Sequence, residues 1–487
     1  MADLAFPILS IGVVVPLVGT VVALLSNQQS QRRLASGLTA VSALCSFEAL
    51  REVLTSGGAP LFEGWTLPVM GASQIFFRAD LLNTVSMSLF SAIALATVIV
   101  APRRDCGRGS AAGILLLLSG TLATFAAESL VMFVVGWGVG LLPFLLKRFQ
   151  TDGSVPRSVR SVLLLSLAAL IAGVVLTGIG DIRSGLPVPL AMSARRNPGT
   201  AGPVHWLLAA AAVMRTGLFP FHWWTVSLYA RGPLLVGALA LNAQPGAFLL
   251  ARMLASIFPD TDHLLLPMLS NLGLFTSVYA AILGVIERNP RRLLALLTIS
   301  QSSILLAGLT TASVAAINGA LVHWFVMAVA TTGLAGVYRA VEARLGGGVG
   351  ADLGTDRFLG LATHFPRFAV YFAVSSLALA GLPGTLGFCS EDLLLHGSLQ
   401  ANPLIGIAMP LATALNAIQV FRLFSHLFLG RQASVGQGVP DALPRERWVL
   451  SAILLFLVLG GLAPSVLVRL QTPAAQDIAG SGTARHP

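Results

Sequence analysis

Charged residues are scarce in this chain: they make up 10% of its 487 residues, while 55% are hydrophobic. Soluble proteins carry about 25% charged residues, so the composition excludes an ordinary soluble domain and predicts a polytopic membrane protein. Lysine is nearly absent, with Lys147 the only one. The three cysteines, Cys45, Cys106 and Cys389, have neither the even number of a disulfide framework nor the spacing of metal ligands. We therefore expect no metal site and no bound cofactor.

The short motifs of soluble catalysis are also missing. The Gly348-Val349-Gly350 segment has no preceding strand and no following Lys-Ser/Thr pair, which argues against a phosphate loop. No segment resembles a nucleophile elbow or a zinc ligand set. The sequence therefore predicts no catalytic site within this chain, although the chain could be one subunit of a larger, energy-converting complex.

Long apolar runs dominate what is present. A run of about 20 residues is enough to cross a bilayer as a helix, and runs of that kind predict an all-α bundle of about 14 transmembrane helices. The predicted spans are 6–25, 34–54, 80–100, 111–127, 129–149, 160–180, 204–224, 233–257, 263–286, 292–312, 314–342, 366–396, 402–430 and 447–470.

Two of these spans are interrupted by turn-forming residues. Gly381-Leu382-Pro383-Gly384 breaks the span 366–396, and Gly217 with Pro220 breaks the span 204–224. Proline removes a backbone donor from the helical ladder, and lipid tolerates such a break only where protein or water satisfies the freed groups. Paired broken helices are typical of ion and solute transporters.

The spacing of the two broken spans predicts an internal repeat. They are five spans apart, and an odd number of helices in each unit inverts the second copy relative to the first. We therefore expect two inverted five-helix units, each with a broken helix. The resulting division is helices 1–3 in residues 1–110, a first unit in 111–257, an inverted second unit in 258–430, and a last helix with a polar tail in 431–487. The tail after Leu470 is predicted to be disordered.

Basic residues predict the orientation. Arginine is concentrated in one set of alternate loops, which includes Arg103, Arg288, Arg291 and Arg339, and is sparse in the other set. The 181–203 loop, with Arg183, Arg195 and Arg196, is the exception, and the poor set also holds Arg78, Asp260 and Asp262. The positive-inside rule places the rich set in the cytoplasm. Both termini of this multi-pass protein would then lie outside, in the periplasm if the membrane is a bacterial inner membrane.

Ionisable residues within the second broken span are the first functional candidates. Glu391 and Asp392 follow the break by about two turns, and acids at such a position are costly unless they line a polar pathway. Alternatively, both acids cap a helix end at the membrane interface. His396 lies four residues after Asp392, so the two share a helix face and could pair.

Three further candidates lie in other spans. Arg215 stays charged and should seek a carboxylate or free carbonyls beside the first break. His222 follows that break and could titrate near neutrality if hydrated, or it could donate to carbonyls that the break frees. His323 lies in the apolar segment ALVHWFVMAV. It could relay protons, or it could form an ordinary hydrogen bond between helices.

Four segments, in this order, resemble the antiporter-like membrane subunits of respiratory complex I, Mrp-type sodium/proton antiporters and membrane-bound hydrogenases. They are GLFPFHWWTVSLYARGPLLVGAL, ERNPRRLLALLTISQSSILLAGL, ALVHWFVMAVATTGL and LALAGLPGTLGFCSEDLLL. The resemblance covers roughly residues 75–430. It implies the broken-helix bundle described above and a role in moving protons or other cations, with Pro220, Pro383 and Gly384 at the breaks.

The chain departs from this family at several charged positions. The glutamate that the family carries in its fifth span is replaced in the segment Gly136-Trp137-Gly138-Val139-Gly140. Its lysines fall on Arg215 and Met327, and its helix-eight histidine falls near Leu241 and Asn242. Of the usual series only His323 and Glu391 remain, which puts a lysine–glutamate proton chain in doubt.

One branch of the superfamily, the DAB-type inorganic-carbon transporters, resembles the chain more closely at one motif. Its second broken helix reads like Gly387-Phe388, Glu391-Asp392-Leu393-Leu394 and His396-Gly397. The resemblance implies a partner, a large soluble zinc-containing subunit similar to carbonic anhydrase.

Three hypotheses follow. The first is a proton- or cation-conducting subunit that drives CO2 or bicarbonate uptake with such a partner, in which Glu391, with Asp392 and His396, exchanges protons, His323 relays them and Arg215 sets the field. The alternative is an antiporter-like proton-translocating subunit of an NADH–quinone oxidoreductase, an Mrp antiporter or a membrane hydrogenase, whose partners are the other subunits of that complex. The third is a structural scaffold whose ion path has decayed.

Overall fold

The computed structural model describes the chain except residues 1, 5, 28–29, 67–72, 150–153, 187–189, 195, 197–201, 258–263, 312, 347–357, 432–438 and 484–487. Arg195, Asp260 and Asp262 therefore lie outside the described residues. The helices are α1 Ile8–Leu25, α2 Gln31–Thr55, α3 Leu81–Val100, α4 Arg108–Ala126, α5 Leu130–Leu145, α6 Arg157–Arg183, α7 Gly202–Thr216, α8 Trp223–Arg231, α9 Leu234–Asn242, α10 Pro245–Arg252, α11 Leu265–Ile286, α12 Pro290–Leu309, α13 Val314–Arg344, α14 Pro366–Leu379, α15 Leu386–Ser398, α16 Ile405–Phe428, α17 Pro444–Leu462 and α18 Ser465–Thr483.

The all-α membrane architecture predicted from the sequence is confirmed. Within the described residues, nine helical segments are long and apolar enough to cross a membrane, or ten if the bent pair α17–α18 is counted as one span. The nine are α1, α3, α4, α6, the α9–α10 segment over Leu234–Ala255, α11, α12, α13 and α16.

The other predicted spans also coincide with helices, but these fail that test for local reasons. Helix α2 carries charges at Arg32, Arg33, Glu48, Arg51 and Glu52 and has low hydropathy. Helix α5 has only 16 residues. The spans 204–224 and 366–396 are each divided by their break into two short helices. The count of about 14 spans therefore remains a prediction.

The end of the chain differs from the prediction. The expected span 447–470 ends at Leu462, and the chain bends by 81° into α18. The bend follows Pro464, whose ring and missing N–H interrupt a helix. Residues after Leu470, predicted to be disordered, continue α18 as far as Thr483.

A stripe of small side chains explains why this polar tail is ordered. Ala474, Ala475, Ile478 and Ala479 are buried, and α18 packs against α13 and the π-helical turn Met253–Ile257. The amide of Asn318 donates to the carbonyl of Val468 at 3.1 Å and to the Thr472 hydroxyl at 2.8 Å. The composition does not reveal this face because polar residues such as Gln476 and Asp477 occupy the exposed side of the helix.

A small sheet, which the sequence did not predict, covers one end of the bundle. Strand β1 (Ala2–Asp3) pairs in parallel with β2 (Leu61–Thr66), and β2 pairs antiparallel with β3 (Ser73–Ala79). The Glu63 carboxylate of β2 accepts hydrogen bonds from the backbone N–H groups of Leu9 and Ser10 at 2.9 and 3.2 Å. A carboxylate at a helix N-terminus satisfies donors that have no intrahelical partner, so the sheet anchors the start of α1.

Two of the arginines used to predict orientation are buried in ion pairs. Arg291 and Glu342 lie 2.7 Å apart, and Arg339 contacts both Glu342 at 3.2 Å and Asp105 at 2.6 Å. These two arginines belong to helices α12 and α13, and their charges are matched inside the bundle. They are therefore weaker evidence for orientation than the simple loop count suggested.

Candidate functional site

The break between α14 and α15 is built by glycines. Gly381 and Gly384 have φ values of +65° and +90°, a left-handed conformation that glycine adopts without steric cost. A Cβ at Gly387 would lie 1.7 Å from the Ala378 carbonyl oxygen, so the two half-helices touch backbone to backbone. The predicted break at Pro383 and Gly384 is therefore a tight turn between two packed helices.

Glu391 occupies the inside of this turn. A Cβ added to Gly381 would lie 2.5 Å from its Oε2 atom, and the Thr413 hydroxyl of α16 donates to the same oxygen at 3.3 Å. Its buried Oε1 atom has no hydrogen-bond partner, and no cation lies within ion-pair distance of this carboxyl in the part of the chain that the structure describes. An ionisable side chain within a membrane span is costly and by default marks an ion or proton pathway, so Glu391 is a candidate for proton exchange.

His323 contacts the residue immediately before Glu391. Its Nδ1 atom lies 3.3 Å from the Ser390 hydroxyl, which itself donates to the Gly387 carbonyl at 2.8 Å. The direction of the contact between Nδ1 and Ser390 depends on which ring nitrogen of His323 carries the proton. The Nε2 atom is buried and makes no hydrogen bond, although the backbone of Gln301 lies beside the ring.

Glu391 and His323 nevertheless face different neighbours. Ser390 faces α13, whereas Glu391 faces the turn at Gly381 and helix α16. The structure thus places Glu391 on the second broken helix and His323 on the neighbouring helix α13, and it shows no direct contact between their side chains. Ser390 and Thr413 are the connecting residues that sequence reasoning missed, because a single hydroxyl in an apolar run gives no pattern to recognise.

Asp392 and His396 form the predicted pair, with His396 Nδ1 3.1 Å from Asp392 Oδ1. Both side chains point outward, with 53% and 71% of their surfaces exposed. They therefore lie on the opposite side of α15 from the buried contacts of Ser390. The half-buried Glu391 and this exposed pair are two separate features of one helix.

Arg215 lies in the last turn of α7, next to the first break, and is 4% exposed. Its guanidinium carbon lies 5.9 Å from the centre of the Trp224 ring, whose indole nitrogen donates to the Met214 carbonyl at 2.8 Å. The carboxylate or carbonyl partner expected from the sequence is not found among the described residues, and its Nη1 atom has no partner. The expectation was wrong because the turn folds Trp224 over the arginine instead.

The polar atoms around Arg215 are also unsatisfied. The hydroxyls of Thr216 and Thr225 and both amide atoms of Gln244 are buried without hydrogen-bond partners. A Cβ at Gly246 would lie 2.5 Å from the Thr216 hydroxyl, so the break between α9 and α10 packs against the end of α7. Buried unsatisfied polar groups of this kind commonly mark a functional or hydrated position.

His222 lies on the other side of the same break, with Pro220 in the intervening turn. Its ring stacks on Phe219, with centroids 6.0 Å apart, and meets Tyr279 edge to face at 5.2 Å. It is half-buried, its Nδ1 atom has no hydrogen-bond partner, and it lines a cavity of about 580 Å³. His222 does not donate to carbonyls freed by the break, which was the alternative raised from the sequence.

Uncharged residues occupy positions where the family resemblance predicts charged side chains. Met327 is fully buried. The Asn242 amide donates to the Ala328 carbonyl and the Thr332 hydroxyl, and its oxygen accepts from Thr331. The indole nitrogen of Trp137, next to Gly138, is buried without a partner. In place of a charged chain, this central region has an amide and hydroxyl network between α9 and α13.

The comparisons with known proteins decide the family. A family model described as NADH:quinone oxidoreductase/Mrp antiporter, transmembrane, matches residues 127–416, more than half of the chain. The chain belongs to this family. The matched range runs from the start of α5 to the middle of α16, so it contains both broken helices, His323 and Glu391.

Relatives and solved structures agree with this assignment to the antiporter family. NADH-quinone oxidoreductase subunit 13 of Thermus thermophilus is 26% identical over 432 residues, which are 86% of this chain and 87% of the relative. A chain of respiratory complex I from the same organism has a TM-score of 0.85 at 23% identity, covering 97% and 99% of the two chains. A chain of the Mrp complex from Dietzia sp. DQ12-45-1b has a TM-score of 0.80 at 18% identity, covering 97% of each. At these identities the structural likeness shows the shared fold. The superfamily resemblance found in the sequence is thus confirmed.

Proposed function

We propose that this chain is an antiporter-like, proton-translocating membrane subunit of a multi-subunit complex of the NADH–quinone oxidoreductase or Mrp type. The family match and the relatives named above support the class of complex. The observation that carries the proposal is the position of Glu391, a carboxyl with one free oxygen inside the turn of a broken helix.

In the proposed mechanism Glu391 binds and releases the translocated proton. His323 relays it, with Ser390 holding the orientation of the ring through its contact with Nδ1. Arg215 supplies a fixed positive charge at the first break, because a guanidinium does not release its proton in a protein. His222, with its unpartnered Nδ1 atom, is the exchangeable group at the cavity beside that break.

We propose that the bundle consists of two inverted five-helix units, in residues 111–257 and 258–430. In each unit the first two helices pack together (α4 with α5, α11 with α12). In each, the third helix then packs against the broken one (α6 with α7, α13 with α14 and α15). The alternation of arginine-rich loops supports an orientation with both termini outside the bacterial inner membrane.

Purification of the intact complex through a tag on this chain tests the proposed class. We expect further membrane and soluble subunits to co-purify with the chain. We also expect the complex, once reconstituted into liposomes, to build a pH gradient across the membrane. The gradient would be driven by the electron donor of the complex or by an imposed sodium gradient. A chain that purifies without such partners, or a complex that builds no pH gradient, would contradict the proposal.

Inorganic-carbon uptake is the second candidate, and one observation favours it. The motif from Gly387 to Gly397 that resembles the DAB-type transporters places the Asp392–His396 pair outward on α15, where a partner subunit could contact it. The same purification separates the two candidates. A single large zinc-containing subunit similar to carbonic anhydrase would favour carbon uptake, whereas quinone-, iron–sulfur- or antiporter-type subunits would favour the first proposal.

A further inference from the structure

The cavity of about 580 Å³ beside His222 has two different kinds of lining. Apolar and aromatic side chains form its wall, among them Trp223 of α8, Leu283 and Ile286 of α11, and Leu296 of α12. At the other end, where α8 and α11 finish and α12 begins, three arginines line it: Arg231, Arg288 and Arg292. The cavity is therefore amphipathic, with a cationic end and an apolar wall.

The cationic end keeps an excess of positive charge. Among the residues that the structure describes, Glu287 is the one acidic residue that lines the cavity. Its Oε1 atom accepts the backbone N–H groups of Arg288 and Asn289, at 2.9 and 3.0 Å, and its Oε2 atom lies 3.9 Å from Arg292 Nη1. Arg292 is thus only loosely paired with this carboxylate, and both Arg231 and Arg292 are exposed at this end. Among the described residues, Arg231 has no hydrogen-bond or ion-pair partner.

A further arginine fixes the shape of this end. The Arg422 guanidinium of α16 donates to the carbonyls of Val285 and Glu287, and to that of Gly284 at 3.3 Å. These are carbonyls of the last turn of α11 and the residue after it, which have no intrahelical partner. The turn that carries Arg288 is thereby held in place before any ligand arrives.

The apolar wall is open to the outside of the bundle. Ile286 is 68% exposed and Trp223 is 38% exposed. Tryptophan is enriched at the depth of lipid headgroups, and basic pockets between transmembrane helices bind anionic headgroups. A small soluble anion would contact the arginines alone and would leave the apolar wall uncovered.

We propose that this cavity binds an anionic phospholipid, whose phosphodiester contacts Arg231 and Arg292 and whose acyl chain lies against Trp223 and Ile286. The cavity also contains His222 but is separate from Glu391, and the inference does not depend on proton translocation. It assigns these arginines a ligand in addition to their part in setting the orientation of the chain.

The test uses the full-length protein in nanodiscs of phosphatidylcholine with a minority of phosphatidylglycerol, followed by native mass spectrometry of the lipids that remain bound. We expect phosphatidylglycerol to be retained over phosphatidylcholine, and each arginine-to-glutamine change to weaken retention about fivefold, the effect of roughly 1 kcal/mol for a basic residue at a membrane surface. The double variant Arg231→Gln/Arg292→Gln should therefore lose about 25-fold. Arg104→Gln is the matched control, since Arg104 is exposed, lies in another basic loop and does not line the cavity.

Wild-type protein that retains the two lipids equally would overturn the proposal, and so would equal losses in the double variant and in the Arg104 control. An excess of inorganic phosphate that displaces the lipid from the wild type would show that the site prefers a soluble anion, and would also overturn it. Electron microscopy of the complex in nanodiscs gives an independent answer. Lipid density in the cavity supports the proposal, whereas a polypeptide of a neighbouring subunit in the same place contradicts it.

Discussion

The Nδ1 atom of His323 lies 3.3 Å from the hydroxyl of Ser390, and this contact joins the long helix α13 to the broken helix α15 one residue before Glu391. Both partners are buried, and the Ser390 hydroxyl is held in turn by the Gly387 carbonyl in the first turn of α15. The orientation of the histidine ring is therefore coupled to the geometry of the break itself.

We predict that His323→Gln slows proton flux about 100-fold, the typical effect of removing a group that transfers protons. Glutamine has a similar size and retains hydrogen bonding, but it does not take up a proton. Ser390→Ala should have a smaller effect, because the ring keeps its proton chemistry and loses only an orienting contact. Proton flux into liposomes that contain a trapped pH-sensitive dye measures the effect of both substitutions, with His364→Gln as the control. Equal flux in His323→Gln and the wild type would contradict the relay.

Substitutions of Arg215 test whether its side chain acts as a fixed positive charge. If the guanidinium acts as a fixed charge, Arg215→Lys should retain flux within about threefold, since lysine also carries a positive charge. Arg215→Gln should lose about tenfold or more, because a fixed charge in a medium of low dielectric contributes more than ~1.4 kcal/mol. Loss of flux in the lysine variant equal to that in the glutamine variant would show that the guanidinium is needed for its shape, and would contradict the fixed-charge role.

The close contact at Gly387 predicts a local stability effect. Gly387→Ala places a methyl group where the Ala378 carbonyl lies, so α15 must move away from α14, and overpacking of this kind costs about 1–3 kcal/mol. Gly180→Ala, with no atom within 4 Å of the added Cβ, should be neutral or stabilising because alanine favours the helix. Thermal unfolding followed by size-exclusion chromatography compares them. Equal melting temperatures for the two variants would show that the half-helices separate without cost.

Glu342 holds two buried arginines, and we predict that Glu342→Gln destabilises the protein by about 3–5 kcal/mol. Arg291 then lacks its carboxylate, whereas Arg339 keeps Asp105. The free energy of unfolding in a denaturing-detergent titration measures the loss. Glu48→Gln, which removes an exposed ion pair with Arg51, is the control and should change the free energy of unfolding little. A comparable loss of stability in the control would mean that burial of the ion pair does not determine the cost of breaking it.

Much of the bundle could be predicted from the sequence because membrane spans leave a strong apolar signal. The breaks at Gly217–Pro220 and Gly381–Gly384 lie where helix-breaking residues interrupt apolar runs, and the pairing of Asp392 with His396 follows from helical spacing. Local chemistry and periodicity decide these features, and both can be read directly along the chain.

The rest depends on contacts between distant residues. The sheet of β1–β3 and the order of α18 arise from packing against elements far away in the sequence, such as Asn318 on α13. The isolation of Arg215 from carboxylates results from how Trp224 folds back across the break. Sequence spacing does not specify such tertiary geometry. The position of Arg215 beside the first break was therefore predicted correctly, but its pairing with a carboxylate or a carbonyl was not.

Proton flux through the reconstituted complex with Glu391→Gln is the measurement that tests the central claim most directly. The account predicts that this variant assembles and inserts normally but loses flux, while Glu52→Gln, an acid on α2 outside the second broken helix, keeps it. Wild-type flux in Glu391→Gln would contradict the proposed site. If Glu391 and His323 variants were both fully active, while deletion of the chain still prevented assembly of the complex, the chain would instead be a structural scaffold.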